Sequence, residues 1–269
     1  WDNLHPEFNF PLNFMRGISA VWQGNQGLGT YGGHGYAATL PHTLLMFSMS
    51  FLIPLQYLRA SFTFLMLLAG AIGVFFLIRK ILQNQPENLR NNAALIGSLF
   101  YMLNLGTVQQ FFIQLEAFII HFAALPWLFY TLINFLENKT KKSLLLFCFV
   151  SLLSTVQGFI PPLFAVYAII LTIFLLSYVV NKFTFERIKR ALLILIVTFL
   201  INAFWFLPVA YYTFTNSNTY LSSYNNLSST DDFILKNKKY GDLANVALLK
   251  GFVLEAIDGA QDGRTFLIF

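Results

Sequence analysis

The chain has 269 residues, of which 57% are hydrophobic and only 11% charged, and its mean hydropathy is +0.61. These values exclude an ordinary soluble domain and indicate a polytopic membrane protein. The net charge of +5 does not indicate a nucleic-acid partner, because the basic residues lie in small clusters between apolar runs and form no continuous patch. The single cysteine, Cys148, excludes a disulfide or a cysteine-based metal site within the chain.

The chain opens with a polar stretch, residues 1–42, that differs from the apolar sequence after it. We expect any chemistry of the protein to involve this opening stretch, because it concentrates ionisable groups: Asp2, His5, Glu7, Arg16, His34 and His42. The apolar run that follows, residues 43–53, is too short to cross about 30 Å of hydrocarbon. It is predicted to be an interfacial or re-entrant helix.

Six later segments are predicted to be transmembrane helices, and the second of them is the shortest. They are residues 58–78, 93–106, 117–136, 143–160, 163–180 and 191–213. Beyond Thr213 the composition changes to Asn, Ser, Tyr and charged residues, which is typical of a solvated loop entering a further domain. The predicted organisation is therefore an opening loop with an interfacial helix (1–57), a membrane bundle (58–213) and the start of a C-terminal domain (214–269).

The basic residues predict the orientation of this bundle. Loops 79–92, 137–142 and 181–190 carry ten of the seventeen Lys and Arg residues, whereas the alternate connections, 107–116 and 161–162, carry none. The positive-inside rule places the three basic loops in the cytoplasm. Residues 1–57 and 214–269 are then extracytoplasmic, and the protein is predicted to lie in the cytoplasmic membrane.

Polar residues near the third predicted span are candidates for lining a cavity, because ionisable groups at membrane depth are costly without a purpose. Gln114 and His121 are seven residues apart and share a helix face, and Glu116 lies between them. The ordinary alternatives are an interfacial carboxylate in water for Glu116 and a helix-packing histidine for His121.

Two other motifs in the opening stretch are not interpreted as cofactor sites. Gly27, Gly29 and Gly32 form a G-x-G-x-x-G, but no strand precedes it and no βαβ unit surrounds it, so a dinucleotide site is not predicted. His34 and His42 have no metal-binding spacing. No metal or cofactor is predicted, although a divalent ion held by Asp2 and Glu7 is an open alternative.

The opening sequence WDNLHPEFNF, followed by Arg16, AVWQGNQGLGTYGGHG and LPHTLL, resembles the first extracytoplasmic loop of a branch of the GT-C superfamily of membrane glycosyltransferases. The closest likeness is to the alpha-(1→3)-arabinofuranosyltransferase family. The resemblance implies an enzyme that transfers a sugar from a polyprenyl-phosphate donor to a cell-envelope glycan acceptor. It also implies a transmembrane helix before Trp1, so the fragment alone is expected to be inactive. Both ends of the chain are expected to be cut, because it opens at Trp1 within a motif and stops in the apolar run GRTFLIF.

The resemblance implies roles for individual residues. Asp2 matches the general base, with Glu7 as the reserve candidate, and the carboxylate takes a proton from the acceptor hydroxyl. The departing lipid phosphate needs cationic or hydrogen-bonding groups. The available ones are Arg16, His34, His42 and Arg59, with Arg16 and His42 ranked first.

Two other classes of function stay open. A transporter or lipid flippase would use Glu116, His121 and the nearby glutamines as a polar site at membrane depth. A non-catalytic polysaccharide-binding membrane protein would use tyrosines of the tail: Tyr220, Tyr224 and Tyr240.

Overall fold

The structure, a computed structural model, describes residues 5–19, 33–113, 116–221 and Leu243. Within these ranges the chain is helical and contains no β-strand, which confirms the expectation of an all-α protein. The glycine motif and most of the predicted C-terminal domain lie outside the described residues, so that domain stays a prediction.

Ten α-helices and two short 3₁₀ segments make up the described part of the chain. The 3₁₀ segments are Pro6–Phe8 and Ser154–Phe159. The helices are α1 (Phe10–Ile18), α2 (Gly33–Ala38), α3 (Leu40–Ser50), α4 (Leu55–Ile81), α5 (Glu87–Leu103), α6 (Leu105–Ile113), α7 (Glu116–Asn138), α8 (Lys141–Leu153), α9 (Pro161–Asn181) and α10 (Phe185–Leu221).

Five segments in the described part are long and apolar enough to cross a membrane: Leu55–Ile81, Glu116–Asn138, Lys141–Phe159, Pro161–Asn181 and Phe185–Thr215. The protein is therefore an integral membrane protein. The predicted span at 93–106 corresponds to α5, which has 17 residues and a length of about 25 Å at 1.5 Å per residue. It is shorter than the hydrocarbon core, so five of the six predicted spans meet the criteria of length and composition.

Proline residues and a polar cap mark the starts of several helices and so set the boundaries between neighbouring helices. Pro54 and Pro86, in extended conformation, stand immediately before α4 and α5, and Pro161 is the first residue of α9. Thr140 accepts a hydrogen bond from the backbone N–H of Ser143 at the start of α8. These residues divide a nearly continuous apolar sequence into separate helices.

Helices α4 and α7 pack closely because small residues of α4 face large aromatic residues of α7. A side chain at Gly70 would overlap the ring of Phe122, and a Cβ at Gly73 would lie 2.8 Å from Nε1 of Trp127. The same indole nitrogen donates a 2.9 Å hydrogen bond to the carbonyl of Ala69. Within a membrane the hydrophobic effect does not drive helices together, so they associate through close packing of this kind at small residues.

The three basic loops lie at one end of the bundle. Lys80, near the end of α4, is 2.7 Å from Glu137, near the end of α7, and Lys139 is 2.6 Å from Glu186 at the start of α10. The start of α4 lies beside the start of α7, and the end of α4 lies beside the end of α7, so the two helices run parallel. Helices α5 and α6 lead the chain from the end of α4 back to the start of α7. This clustering agrees with the predicted topology, and the assignment of this end to the cytoplasm stays a prediction.

The opening stretch packs on the opposite end. Phe10 of α1 and Met46 of α3 belong to one buried cluster with Leu58 at the start of α4, Ile119 of α7 and Val156 of the second 3₁₀ segment. The predicted interfacial segment 43–53 is helical as α3, which ends at Ser50, ahead of α4. The opening stretch thus forms a helical cover over one end of the membrane bundle.

Candidate functional site

The candidate site lies where the opening stretch covers the starts of α4 and α7. Glu7 is in the first 3₁₀ segment, Arg59 is in the first turns of α4, and Glu116 is the first residue of α7. Pro54 sets the start of α4 and so positions Arg59 at this end. Three segments that are distant in sequence therefore bring their charged groups to one place.

Arg59 is shared by two carboxylates. Its Nε and Nη2 lie 2.8 Å and 2.7 Å from Oε1 of Glu7, and its Nη1 pairs with Oε1 of Glu116. The side chains of Glu7 and Glu116 are only 7% and 4% exposed, and that of Arg59 is 22% exposed. A guanidinium suits this arrangement because its fork of donors serves two acceptors at once. Counting these three described side chains alone, two carboxylates and one guanidinium carry a formal charge of −1 in a mostly buried place.

His5 adds a second basic group to this cluster, although its position was not singled out from the sequence. Its Nδ1 is 3.6 Å from Oε1 of Glu7, and its ring stacks on Phe8 with 5.3 Å between centroids. When the ring is protonated, it offsets the excess negative charge beside Glu7. In the sequence, this contact with Glu7 is indicated by the position of His5 two residues before it.

His42 of α3 is a buried neutral histidine beside the charged cluster. It is 2% exposed, and its ring centroid is 5.0 Å from that of Phe62. Burial, and secondly the charge of Arg59, lower the pKa of His42 to about 3. Neither ring nitrogen has a hydrogen-bond partner among the described residues. A neutral imidazole in this position offers one donor and one acceptor to a group entering the site.

A second polar pair lies deeper along α7. Nδ1 of His121 is 3.0 Å from Oε1 of Gln157, a fully buried residue of the second 3₁₀ segment. The next residue, Gly158, allows the chain to pass closely beside Trp205, because a Cβ there would lie 2.6 Å from the indole ring. Gln157 was not predicted as a site residue. Its signal in the sequence was the short polar run STVQG at the end of an apolar span.

The other predicted residues divide into two groups. Arg16 lies at the end of α1 with its guanidinium 5.7 Å from the ring centroid of Tyr36, and it makes no recorded contact with Arg59, Glu7 or His42. His34 is in the first turn of α2, and its side chain is outside the described part. Asp2 and Gln114 lie outside the described residues, so their predicted roles stay predictions.

The described residues contain no group of three or more His, Cys, Asp or Glu side chains placed to hold a metal ion. This observation covers Glu7 and Glu116, which are bound to Arg59, but not Asp2. The alternative of an ion held by Asp2 and Glu7 therefore stays open.

Comparison with protein-family models, curated proteins and solved structures finds no match to this chain.

Proposed function

We propose that this protein is a membrane glycosyltransferase of the GT-C type that transfers a sugar from a polyprenyl phosphate to a cell-envelope glycan. The observation that carries the proposal is the buried cluster of Glu7, Arg59 and Glu116 beneath the opening stretch. That stretch is also where the sequence resembles the catalytic loop of these enzymes. A costly arrangement of charges at the end of a membrane bundle is typical of a functional site.

The surface of the opening stretch supports a lipid-linked substrate. Phe8, Met15 and Ile18 are 81%, 60% and 78% exposed, although each is apolar. Exposed apolar side chains on short helices are typical of segments that lie in the membrane interface. The phosphate of a polyprenyl-phosphate donor sits at this level, with its chain in the hydrocarbon between helices.

The burial of Glu7 makes it a poor general base, which leaves Asp2 as the proposed one. A general base must reach the acceptor hydroxyl, and Glu7 is nearly buried with one oxygen bound to Arg59. We therefore assign Glu7 to positioning Arg59 and the opening stretch, and Asp2 to proton removal. In the transfer step the acceptor oxygen loses its proton to the carboxylate and bonds to the anomeric carbon. The bond from that carbon to the phosphate oxygen breaks, and the lipid phosphate leaves with the electron pair.

The charges also rank the groups proposed for the phosphate. Arg59 is balanced by two carboxylates, so it attracts a phosphate less than a cation without an acidic partner. Arg16 has no carboxylate within 4 Å among the described residues, and His42 has two ring nitrogens without partners there. Arg16 is therefore the preferred phosphate ligand, with His34 next. His42 is only 2% exposed and ranks below them, and Arg59 is the group that organises the site.

The test is sugar transfer by the full-length protein in membranes supplied with radiolabelled polyprenyl-phosphate sugars. Asp2→Asn is expected to lower transfer by about 10²- to 10⁴-fold, the usual contribution of a general base. The matched control is Glu87→Gln, which removes an exposed carboxylate at the basic end of the bundle and is expected to leave transfer unchanged. Unchanged transfer in both Asp2→Asn and Glu7→Gln would reject a carboxylate base in the opening stretch. Absence of transfer from every sugar tested would reject the enzyme.

A transporter or lipid flippase is the second candidate, and the buried pair of His121 and Gln157 favours it. Together with Glu116 these residues place polar groups at the start of α7 and more than one turn further along it. In that case a labelled lipid would move between leaflets of vesicles containing the protein, and Asp2→Asn would leave this movement unchanged. If the protein is a glycosyltransferase, sugar transfer is expected not to depend on an imposed ion gradient.

A further inference from the structure

At the basic end of the bundle, far from the opening stretch, the ends of three helices enclose a cleft of about 420 Å³. Its walls come from the end of α7, the end of α9, the connection between α9 and α10, and the first turns of α10. The lining residues are Leu136, Glu137, Tyr178, Lys182, Thr184, Glu186, Arg187 and Arg190. None of them belongs to the proposed transferase site.

The cleft carries excess positive charge. Its two carboxylates, Glu137 and Glu186, are 2.7 Å and 2.6 Å from Lys80 and Lys139, which balance them. The other three charged residues of the lining have no carboxylate within 4 Å among the described residues: Lys182, Arg187 and Arg190. Five cations against two carboxylates leave a formal charge of +3.

Two arginines are held in place by contacts that leave donors available. Nη1 of Arg187 donates a 2.7 Å hydrogen bond to the carbonyl of Tyr178, and its guanidinium lies 4.5 Å from the centroid of that ring. Nη1 of Arg190 donates to the carbonyl of Leu136, while its buried Nε has no partner in the described part. Each guanidinium has five N–H groups, so these contacts orient the side chains without exhausting their donors.

The surroundings place the cleft at the level of lipid headgroups. It lies where α9 ends and α10 begins, and both helices are candidate membrane spans. Val180, Phe183 and Phe185 flank it with apolar side chains that are 76%, 77% and 70% exposed. Aromatic and apolar side chains beside cations are typical of the membrane interface, and basic clefts between membrane helices bind anionic headgroups.

We propose that this cleft binds the phosphate of an anionic phospholipid headgroup, with Lys182, Arg187 and Arg190 as ligands. Arg187 and Arg190 meet the phosphate through their free N–H groups, and the acyl chains lie along Phe183 and Phe185. A phosphate is the favoured ligand because a planar guanidinium group can donate two parallel hydrogen bonds to two of its oxygens. This site is separate from the proposed transferase site and does not depend on that function.

The test is native mass spectrometry of the full-length protein extracted from vesicles of phosphatidylcholine with added phosphatidylglycerol. The wild type is expected to retain phosphatidylglycerol in preference to phosphatidylcholine. Lys182→Gln and Arg187→Gln are each expected to weaken retention about tenfold, as loss of one charge-assisted contact does. Lys142→Gln, which removes an exposed cation from the same end of the bundle but outside the cleft, is the matched control and is expected to have no effect.

Equal losses in Lys142→Gln and Lys182→Gln would overturn the site, because they would show attraction to net charge alone. Lys182→Gln keeps the test decisive if Arg187→Gln fails to fold, since Lys182 makes no hydrogen bond to another described residue. Inorganic phosphate that displaces the lipid at equal concentration would overturn the lipid assignment in favour of a soluble anion. Retention by both cleft variants at the level of the wild type would overturn the site.

Discussion

Nε of Arg59 donates a 2.8 Å hydrogen bond to Oε1 of Glu7, a residue 52 positions earlier in the chain. The same guanidinium pairs with Glu116 at the start of α7. One cation thus joins the opening stretch, the first long helix and the start of α7. Because both carboxylates are buried, this joint depends on the cation being present.

Arg59→Met is expected to be the most destabilising single change at this joint. Without the guanidinium both buried carboxylates lose the cation that they share, which costs about 3–5 kcal/mol of unfolding free energy. Thermal unfolding of detergent-solubilised protein measures the loss. Arg79→Met is the control, because Arg79 at the other end of α4 has no carboxylate within 4 Å in the described part. Similar melting temperatures for the two variants would contradict the joint.

His42→Leu is expected to change how stability depends on pH. The pKa of His42 is lowered to about 3 in the folded protein, whereas an unfolded histidine titrates near 6.5. Between these two pH values the unfolded state binds one proton more than the folded state does. The contribution of His42 to the free energy of unfolding is therefore complete above pH 6.5 and is lost as the pH falls. The loss is about 1.4 kcal/mol per pH unit.

Melting temperatures of wild type and His42→Leu between pH 7 and pH 5 measure this difference. The wild type is expected to lose more stability than the variant over that range. Parallel curves would show that the pKa of His42 is not lowered in the folded protein.

The contact between His121 and Gln157 is expected to appear as a coupling in a double-mutant cycle. Gln157→Leu leaves a buried imidazole nitrogen without its partner, at a cost of about 1–3 kcal/mol. Once His121 is replaced by Phe, Gln157→Leu should cost less, because no imidazole remains to be orphaned. Unfolding of the wild type, both single variants and the double variant supplies the four values, and additive effects would show that the two residues act independently.

Gly158→Ala is expected to destabilise the protein by about 1–3 kcal/mol through overpacking. Its Cβ would meet the ring of Trp205, which is 1% exposed and is fixed by a 2.9 Å hydrogen bond from its Nε1 to Asn202. Gly97→Ala is the matched control. A Cβ there meets only the end of the flexible Ile78 side chain, so the cost should be small. Equal melting temperatures for the two alanine variants would contradict the close packing at Gly158.

Cysteine labelling tests the arrangement of the two ends of the bundle. In a background with Cys148→Ser, cysteines placed at Lys141 and Lys182 should react with an impermeant reagent from one side of the membrane, and a cysteine at Phe8 from the other. The positive-inside rule predicts the cytoplasmic side for the first two. Labelling of Lys141 and Lys182 from opposite sides would contradict the clustering of the basic loops, and labelling of Lys141 only from outside would reverse the predicted orientation.

The sequence by itself determined the membrane class, the helical architecture and the five segments that are long and apolar enough to cross a membrane. Each of these properties depends on a contiguous run of residues, since length and hydropathy along one segment decide whether a helix can cross a bilayer. The grouping of basic residues in alternate loops likewise follows from counting along the chain. The predicted span at 93–106 lies in α5, Glu87–Leu103, which at 17 residues is shorter than the hydrocarbon core, so its place as a separate span stays a prediction.

Only the tertiary structure decided which polar groups meet. Spacing along the chain placed Arg59 and Glu116 among the candidates but did not pair them with each other or with Glu7. It also gave no sign that Gln157 faces His121 or that Arg187 and Arg190 line a cleft. These contacts join residues that are distant in sequence, and they form because burying a charged or polar group in a bundle is tolerable only when packing brings it a partner. The partner is chosen by how the helices pack, and that choice is made in three dimensions.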